Sequence, residues 1–221
     1  MIRSTQKFTF SIFLFLAIIF SSKSQDYCDS IQMMSNKTVP DKIRNVVYET
    51  LIYFPELKNT HIDFVFTKNI SKSFMQAQPN FSDILKRKDK RRYRIKITPA
   101  LQLTEGSIPV EELPEDVLMG WIAHELGHIM DYKDRSALAM MGFGISYSLN
   151  KKFLMSAEQT ADIYAVNQGL GSKIRKTKNF ILNRSDIPED YKNRIKNLYL
   201  SPEEIMALIE ETADSSIGQA D

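Results

Sequence analysis

Hydrophobic side chains recur along the first half of the chain with two different spacings. Between residues 43 and 54 they follow the three-to-four-residue repeat of an α-helix, and Pro55 ends that pattern. Residues 61–67 and 91–98 alternate hydrophobic with polar positions, which predicts two half-buried strands. On the second strand we expect one face to carry Tyr93, Ile95 and Ile97, and the other to carry Arg92, Arg94 and Lys96.

The second half of the chain is dominated by helical spacing. A long helix is predicted from Pro114 to Tyr132, and another over about residues 152–168, ended by Gly169. A few strands followed mostly by helices indicate an α+β fold in a single domain. Two more helix starts are predicted at Asp186-Ile187-Pro188 and at Ser201-Pro202-Glu203-Glu204.

The first two dozen residues have the layout of a secretory signal peptide. Arg3 and Lys7 form a basic start, residues 8–20 are almost entirely apolar, and small residues that a signal peptidase reads follow them. The apolar stretch is short for a helix that spans a bilayer, which needs about 20 residues. We therefore expect residues 1–24 to be cleaved, leaving a secreted or periplasmic domain at 25–221; retention as an anchor is the alternative.

Composition places the chain among ordinary globular proteins. Of its 221 residues, 43% are hydrophobic and 25% are charged, which argues against disorder. The 29 Lys and Arg residues nearly balance the 27 Asp and Glu residues, so nucleic acid is not expected as a partner. Cys28 is the only cysteine, which excludes an intramolecular disulfide. The histidines are His61, His124 and His128.

The strongest chemical signal is the sequence His-Glu-Leu-Gly-His at residues 124–128, inside the long predicted helix. Residues four apart lie one above the other on a helix, so the imidazoles of His124 and His128 converge on one point. This arrangement suits Zn²⁺, which binds imidazole nitrogen and carboxylate oxygen and keeps one position for water. Glu125, about 100° round the helix, can reach that water as its general base.

A catalytic zinc needs a third protein ligand, and Glu158 is the best candidate. Glu158 and Asp162 lie four residues apart on the next predicted helix, so they share a face. Glu158 can bind the metal while Asp162 accepts a hydrogen bond from the second nitrogen of a ligand histidine, most simply His124. We interpret His61, in a predicted strand far upstream, as an ordinary strand residue.

These two motifs, His-Glu-Leu-Gly-His and Glu-x-x-Ala-Asp at residues 158–162, resemble those of the gluzincin metallopeptidases. Over roughly residues 95–200 the chain is most similar to the HtpX-like, Oma-type and CAAX-prenyl-processing peptidases. The resemblance implies a zincin-like domain, in which a small sheet precedes an active-site helix and a ligand-bearing helix. It also implies a zinc-dependent endopeptidase with a peptide or protein substrate. Its implied ligands are His124, His128 and Glu158, with Glu125 as general base.

The resemblance further suggests that the strand at 91–98 is the sheet edge along which an extended substrate lies. In that case Arg92, Arg94 and Lys96 would lie close to the cleft and would favour acidic substrates.

The chain departs from the gluzincin pattern at Ile187-Pro188, where the resembling peptidases carry a His-Pro pair. Arg194 stands at about the distance of the arginine in those peptidases. The residue that stabilises the oxyanion is then to be sought among Tyr164, Tyr191 and Arg194. The missing histidine leaves a second interpretation open, a secreted zinc-binding or interaction protein without turnover. Retention of Glu125 argues against it, because metal binding does not need that residue.

Two segments without a motif stand out. Residues 86–96 hold eight basic side chains and one acidic side chain, Asp89, which a solvated loop and strand face explains. Peripheral contact with a membrane or another anionic surface, or with an acidic substrate, is the alternative. Residues 137–149 are apolar but too short to span a bilayer. They predict a core segment, with a flap or interfacial patch near the site as the alternative.

Overall fold

The first half of the chain forms two small sheets. The computed structural model describes residues 33–68, 70 and 73–217, so the predicted signal peptide and Cys28 lie outside the described residues. Four strands form a mixed sheet: β1 (Lys37–Thr38), β2 (His61–Phe66), β3 (Met75–Pro79) and β4 (Arg92–Ile97). An antiparallel pair follows, made of β5 (Ala100–Gln102) and β6 (Ser107–Pro109).

Helices dominate the second half, which confirms the α+β class predicted from the sequence. The helices are α1 (Arg44–Leu51), α2 (Glu115–Asp134), α3 (Ala137–Leu149), α4 (Lys151–Ala165), α5 (Gly171–Asn183), α6 (Glu189–Leu198) and α7 (Pro202–Ile217). Within the part of the chain that the structure describes, none of the helices combines the length and the apolar character needed to cross a membrane.

The mixed sheet has the strand order β1-β2-β4-β3, in which β2 runs parallel to β4 and β3 runs antiparallel to it. The expectation that residues 91–98 form the sheet edge is therefore wrong. Both sides of β4 are paired, so its backbone has no free row of hydrogen-bonding groups. The edges are β1 and β3, and the one beside β4 is β3, whose sequence Met-Gln-Ala-Gln-Pro contains few of the β-branched and aromatic residues typical of a strand.

The two faces of β4 are divided as the sequence predicted. Tyr93, Ile95 and Ile97 are buried, and the three basic side chains of the strand lie on the opposite face. The buried face is the one against which α2 packs, because Met75 and Ala77 of β3 are also buried there and β3 contacts α2. The basic side chains therefore point away from α2, and the expectation that they lie close to the cleft is wrong.

The central helix α2 lies unusually close to α4. A Cβ atom added to Gly127 would lie 2.3 Å from the backbone oxygen of Ala161, a distance that no side chain can adopt. The two backbones can approach only because position 127 carries no side chain and position 161 carries a methyl group. This contact brings the histidine face of α2 against the face of α4 that carries Glu158.

A kinked segment, Val166–Leu170, separates helix α4 from α5. Gly169 has φ of +82°, a conformation that suits glycine, so the predicted end of this helix falls at a true break. Helix α5 was not predicted. Helix α3 corrects the core prediction for residues 137–149, because Met140 and Phe143 are buried while its opposite side is exposed.

Candidate metal centre

His124 and His128 of α2 meet Glu158 of α4 in the interior of the protein. All three side chains are buried, and one ligand atom from each lies within 4.8 Å of the others. Oε2 of Glu158 lies 3.1 Å from Nε2 of His124 and 3.3 Å from Nε2 of His128. Two ligands come from one face of α2, and the third comes from the helix that packs against that face.

The hydrogen-bond partners of His124 indicate that its Nε2 and the Oε2 of Glu158 can share a cation. Nδ1 of His124 lies 2.9 Å from Oδ1 of Asp162, and because a carboxylate only accepts, Nδ1 must donate. In a neutral ring Nε2 then carries a lone pair, which faces another lone pair on Glu158. Two acceptors at 3.1 Å need a positive charge between them. For metal–ligand bonds of about 2.0–2.1 Å, a tetrahedral zinc site spaces its ligand atoms by about 3.3 Å, so the donor set fits zinc.

In the metal-free protein a proton can supply that charge. Burial lowers the pKa of His124, but the hydrogen bonds to Asp162 and Glu158 outweigh it and raise the pKa to about 10. Burial raises the pKa of Glu158, and the two histidines reverse the shift and hold it well below its ordinary value. The site is therefore anionic at Glu158 and ready to exchange a proton for a metal ion.

Asp162 is held by two further donors. Its Oδ2 accepts hydrogen bonds from Nζ of Lys178, at 2.8 Å, and from the backbone N–H of Leu200, at 3.1 Å. Lys178 itself is buried and lies over the ring of Tyr199, with its Nζ 4.6 Å from the ring centre. Burial raises the pKa of Asp162, but Lys178 and His124 outweigh it and lower the pKa below its ordinary value. The structure thus extends the expected His124–Asp162 pair to a buried lysine.

Glu158 is held from its other side by two residues. Its Oε1 accepts a hydrogen bond from the hydroxyl of Tyr147 on α3, at 2.5 Å, and one from Arg194 on α6, at 3.3 Å. The carboxylate is therefore oriented so that Oε2 points at the histidines. The sequence offered no signal for Tyr147 or Lys178, because neither belongs to a motif and each reaches the site only through the packing of its helix.

Glu125 lies beside the ligands but does not point into them. It is buried, and its Oε2 accepts a hydrogen bond of 2.5 Å from the backbone N–H of Ala77 on the edge strand β3. Burial raises the pKa of Glu125, an effect that the neighbouring histidines only partly oppose. A raised pKa makes this carboxylate a better proton acceptor near neutral pH.

The three residues considered for the oxyanion are not placed alike. Arg194 contacts Glu158, and Tyr191 is partly buried beside Trp121 and Glu125, where loss of contact with water raises its pKa to about 12. Tyr164 instead has Asp131, Asp134 and Arg135 as its charged neighbours, at the far end of α2. The structure therefore brings Tyr191 and Arg194 to the site and leaves Tyr164 outside it.

Open space adjoins the candidate centre. A cavity of about 30 Å³ reaches His124 and Glu125, which is enough for a water molecule because about 10–15 Å³ suffices. Ser73 and Tyr191 line both this cavity and a much larger one of about 1060 Å³, which we call the side cleft. The side cleft is bounded by the β5 region, the start of α4 and α6. Its apolar walls include Phe74, Leu101, Leu154 and Leu198.

Two other residues discussed above lie apart from the centre. His61 pairs with Asp63 on its own strand, at 3.2 Å, as an ordinary strand residue would. Ile187, which stands where the resembling peptidases carry histidine, is buried in the hydrophobic core.

Comparisons of the chain with protein-family models, with curated proteins and with solved structures find no match.

Proposed function

We propose that this protein is a zinc-dependent endopeptidase that acts outside the cytoplasm. The observation that supports it most directly is the buried group of His124, His128 and Glu158 with a fourth residue, Glu125, beside it. A structural zinc site closes its coordination with protein ligands, whereas three ligands and room for water are typical of a catalytic one. Export rests on the sequence of residues 1–24.

The proposed chemistry assigns a separate task to each polar group. Zinc, when bound, supplies a Lewis acid that polarises a water molecule and the peptide carbonyl. Glu125 takes the proton of the attacking water and later delivers it to the leaving amine. Asp162 and Lys178 keep His124 in the tautomer that leaves Nε2 free. Arg194 and Tyr191 are the two donors proposed to stabilise the negative charge that develops on the carbonyl oxygen.

The substrate is proposed to lie along β3 rather than along β4. Backbone hydrogen bonds join Asn80 to Arg92 and Thr98 to Phe74 at the two ends of the β3–β4 ladder. By the alternation of an antiparallel pair, Gln76 and Gln78 then bond to β4, and the backbone groups of Met75 and Ala77 face outward. The N–H of Ala77 accordingly donates to Glu125. An extended peptide can pair as an added strand with the outward groups that have no partner within the protein, since Glu125 holds the Ala77 N–H and Ser73 bonds the Met75 oxygen. The side cleft next to Arg194 could then receive a large apolar side chain of the substrate.

The decisive experiment replaces Glu125 by Gln. Glu125→Gln should keep zinc at one ion per chain and lower peptide cleavage by about 10²–10⁴-fold, because an amide cannot take up the proton of the water. The matched control is Glu112→Gln, an exposed glutamate just before α2, which should leave cleavage unchanged. Metal content is measured by mass spectrometry, and cleavage is measured on a peptide library with and without chelator.

Two results would count against the proposal. An unchanged cleavage rate in Glu125→Gln would exclude this base. Wild-type protein that holds zinc but cleaves nothing in a broad library would favour the second candidate, a zinc-binding protein without turnover. Ile187 favours that candidate, because it stands where the resembling peptidases carry a histidine. Its side chain is buried in the hydrophobic core and not at the metal centre.

A further inference from the structure

Helix α3 carries a stripe of apolar side chains that no described part of the protein covers. Leu138, Met141, Ile145 and Leu149 are 76%, 45%, 63% and 83% exposed. Their spacing of three, four and four residues places them on one face of the helix, which we call the α3 stripe. The buried side of α3 is fixed by Phe143, whose ring contacts those of Tyr132, Tyr147 and Phe153.

Cationic side chains stand at both ends of the α3 stripe. Lys133 and Arg135 precede the helix, where Arg135 pairs with Asp131 at 2.8 Å, and Lys151 and Lys152 follow it. Both lysines after the helix are exposed, and neither forms an ion pair with any residue that the structure describes. Helix α3 itself contains no acidic residue.

A second segment with exposed apolar and basic side chains packs beside the start of α3. Lys88 donates a hydrogen bond to the backbone oxygen of Asp134, and Arg91 donates one of 2.7 Å to that of Arg135. Residues 81–91, which we call the basic loop, are thereby attached to the end of α2. Leu85, Arg87 and Lys90 of this loop are exposed, and Phe81 at its beginning is exposed as well.

We propose that the α3 stripe and the basic loop together dock the protein on an anionic lipid bilayer. Thirteen residues of helix are about 20 Å long, too short to cross the hydrocarbon core but suited to lying in the interface. Apolar side chains then enter the boundary between headgroups and acyl chains, while cations at both ends of the helix meet anionic headgroups. A bilayer fits better than a protein partner, because Lys90, Lys151 and Lys152 are exposed and form no ion pair with any residue that the structure describes, so their charges can meet anionic headgroups.

Vesicle binding tests this proposal. The chain without residues 1–24 is used, so that the apolar N-terminal segment does not contribute; it retains every described residue. Sedimentation should show binding to vesicles of phosphatidylcholine and phosphatidylglycerol, with binding weakened by salt and much weaker on phosphatidylcholine alone. Ile145→Glu with Leu149→Glu should lower the partition coefficient at least about tenfold, because two buried side chains are lost from the interface. Both sites are exposed, so folding is not at risk.

Two matched controls separate this effect from a general one. Ile52→Glu changes another exposed apolar residue, just after α1 and 52% exposed, and should leave binding unchanged. Replacing Lys151 and Lys152 by Gln should weaken binding to anionic vesicles by about thirtyfold, whereas Arg175→Gln should not weaken it measurably.

Equal binding to neutral and anionic vesicles would overturn the proposal, as would unchanged binding of the Ile145→Glu/Leu149→Glu variant. A lipid-free dimer abolished by that variant would also overturn it and would assign the stripe to contact between two copies of the chain.

Discussion

The buried pair of Lys178 and Asp162 provides a sharp quantitative test of the site. Both side chains are almost fully buried, and Nζ lies 2.8 Å from Oδ2. Removing one partner of a buried ion pair costs about 3–5 kcal/mol when the other charge is left without compensation. Because His124 and the Leu200 N–H still contact Asp162, we expect the lower end of that range, about 3 kcal/mol. Lys178→Met should therefore lower the free energy of unfolding of the metal-free protein by that amount. In a domain of this size the melting temperature should fall by roughly 6–12 °C.

A double-mutant cycle separates the ion pair from the packing of the two side chains. Asp162→Asn alone leaves Lys178 buried and unpaired, so it should also be costly. The double variant should lose less than the sum of the two single losses, by about 2 kcal/mol or more. The matched control is Lys196→Met, because Lys196 pairs with Glu189 at 3.6 Å on the surface and should cost at most about 1 kcal/mol.

The assay is chemical unfolding in the presence of chelator, followed by circular dichroism. If the two single losses add to within about 0.5 kcal/mol, Lys178 and Asp162 do not act as a pair and the reasoning fails.

Two further predictions concern pH. Because the pKa of His124 is about 10 in the metal-free protein, zinc must displace a proton, so its affinity should rise about tenfold per pH unit between about pH 6 and 8. Competition with a chelating dye measures this, and an affinity independent of pH would contradict it. Hydrogen bonds from Arg92 and Lys86 hold the pKa of Asp83 well below its ordinary value of 3.8. The loss of unfolding free energy caused by Asp83→Asn should therefore be constant above about pH 4 and become smaller as the pH falls below 4. Urea unfolding of both proteins from pH 3 to 7 measures this loss, and a loss that grows toward low pH would contradict the prediction.

The sequence predicted the parts of the site that lie within single elements. The helical repeat around residues 124–128 and the Glu-x-x-Ala-Asp motif depend on spacing along one helix, which a sequence displays directly. Pairing between strands is not displayed in this way. The alternation of β4 shows which side chains are buried, but it is the same for an edge strand and an interior strand. The edge was therefore assigned to the wrong strand.

The supporting residues escaped prediction for a related reason. Tyr147 and Lys178 reach the centre from α3 and α5, two helices that the sequence pattern did not predict. The residues of α5 are strongly basic, and the helix follows α4 after only five residues, which contain the kink at Gly169. Its position therefore depends on how Gly169 redirects the chain. From the sequence alone, Lys178 in such a basic segment would be predicted to be exposed to solvent, and only the packing of α5 shows that it is buried.

The close approach of α2 and α4 has a consequence for how the protein tolerates sequence change. At Gly127 the obstacle is the backbone oxygen of Ala161, which has no rotamer to adopt and cannot yield as a side chain would. Even the smallest side chain at position 127 must separate the helices and carry Glu158 away from the histidines. In a mutational scan, this position should therefore behave like a ligand although it touches no metal. Zinc occupancy across such a scan should fall as the side chain at position 127 becomes larger and the distance between the two helices increases.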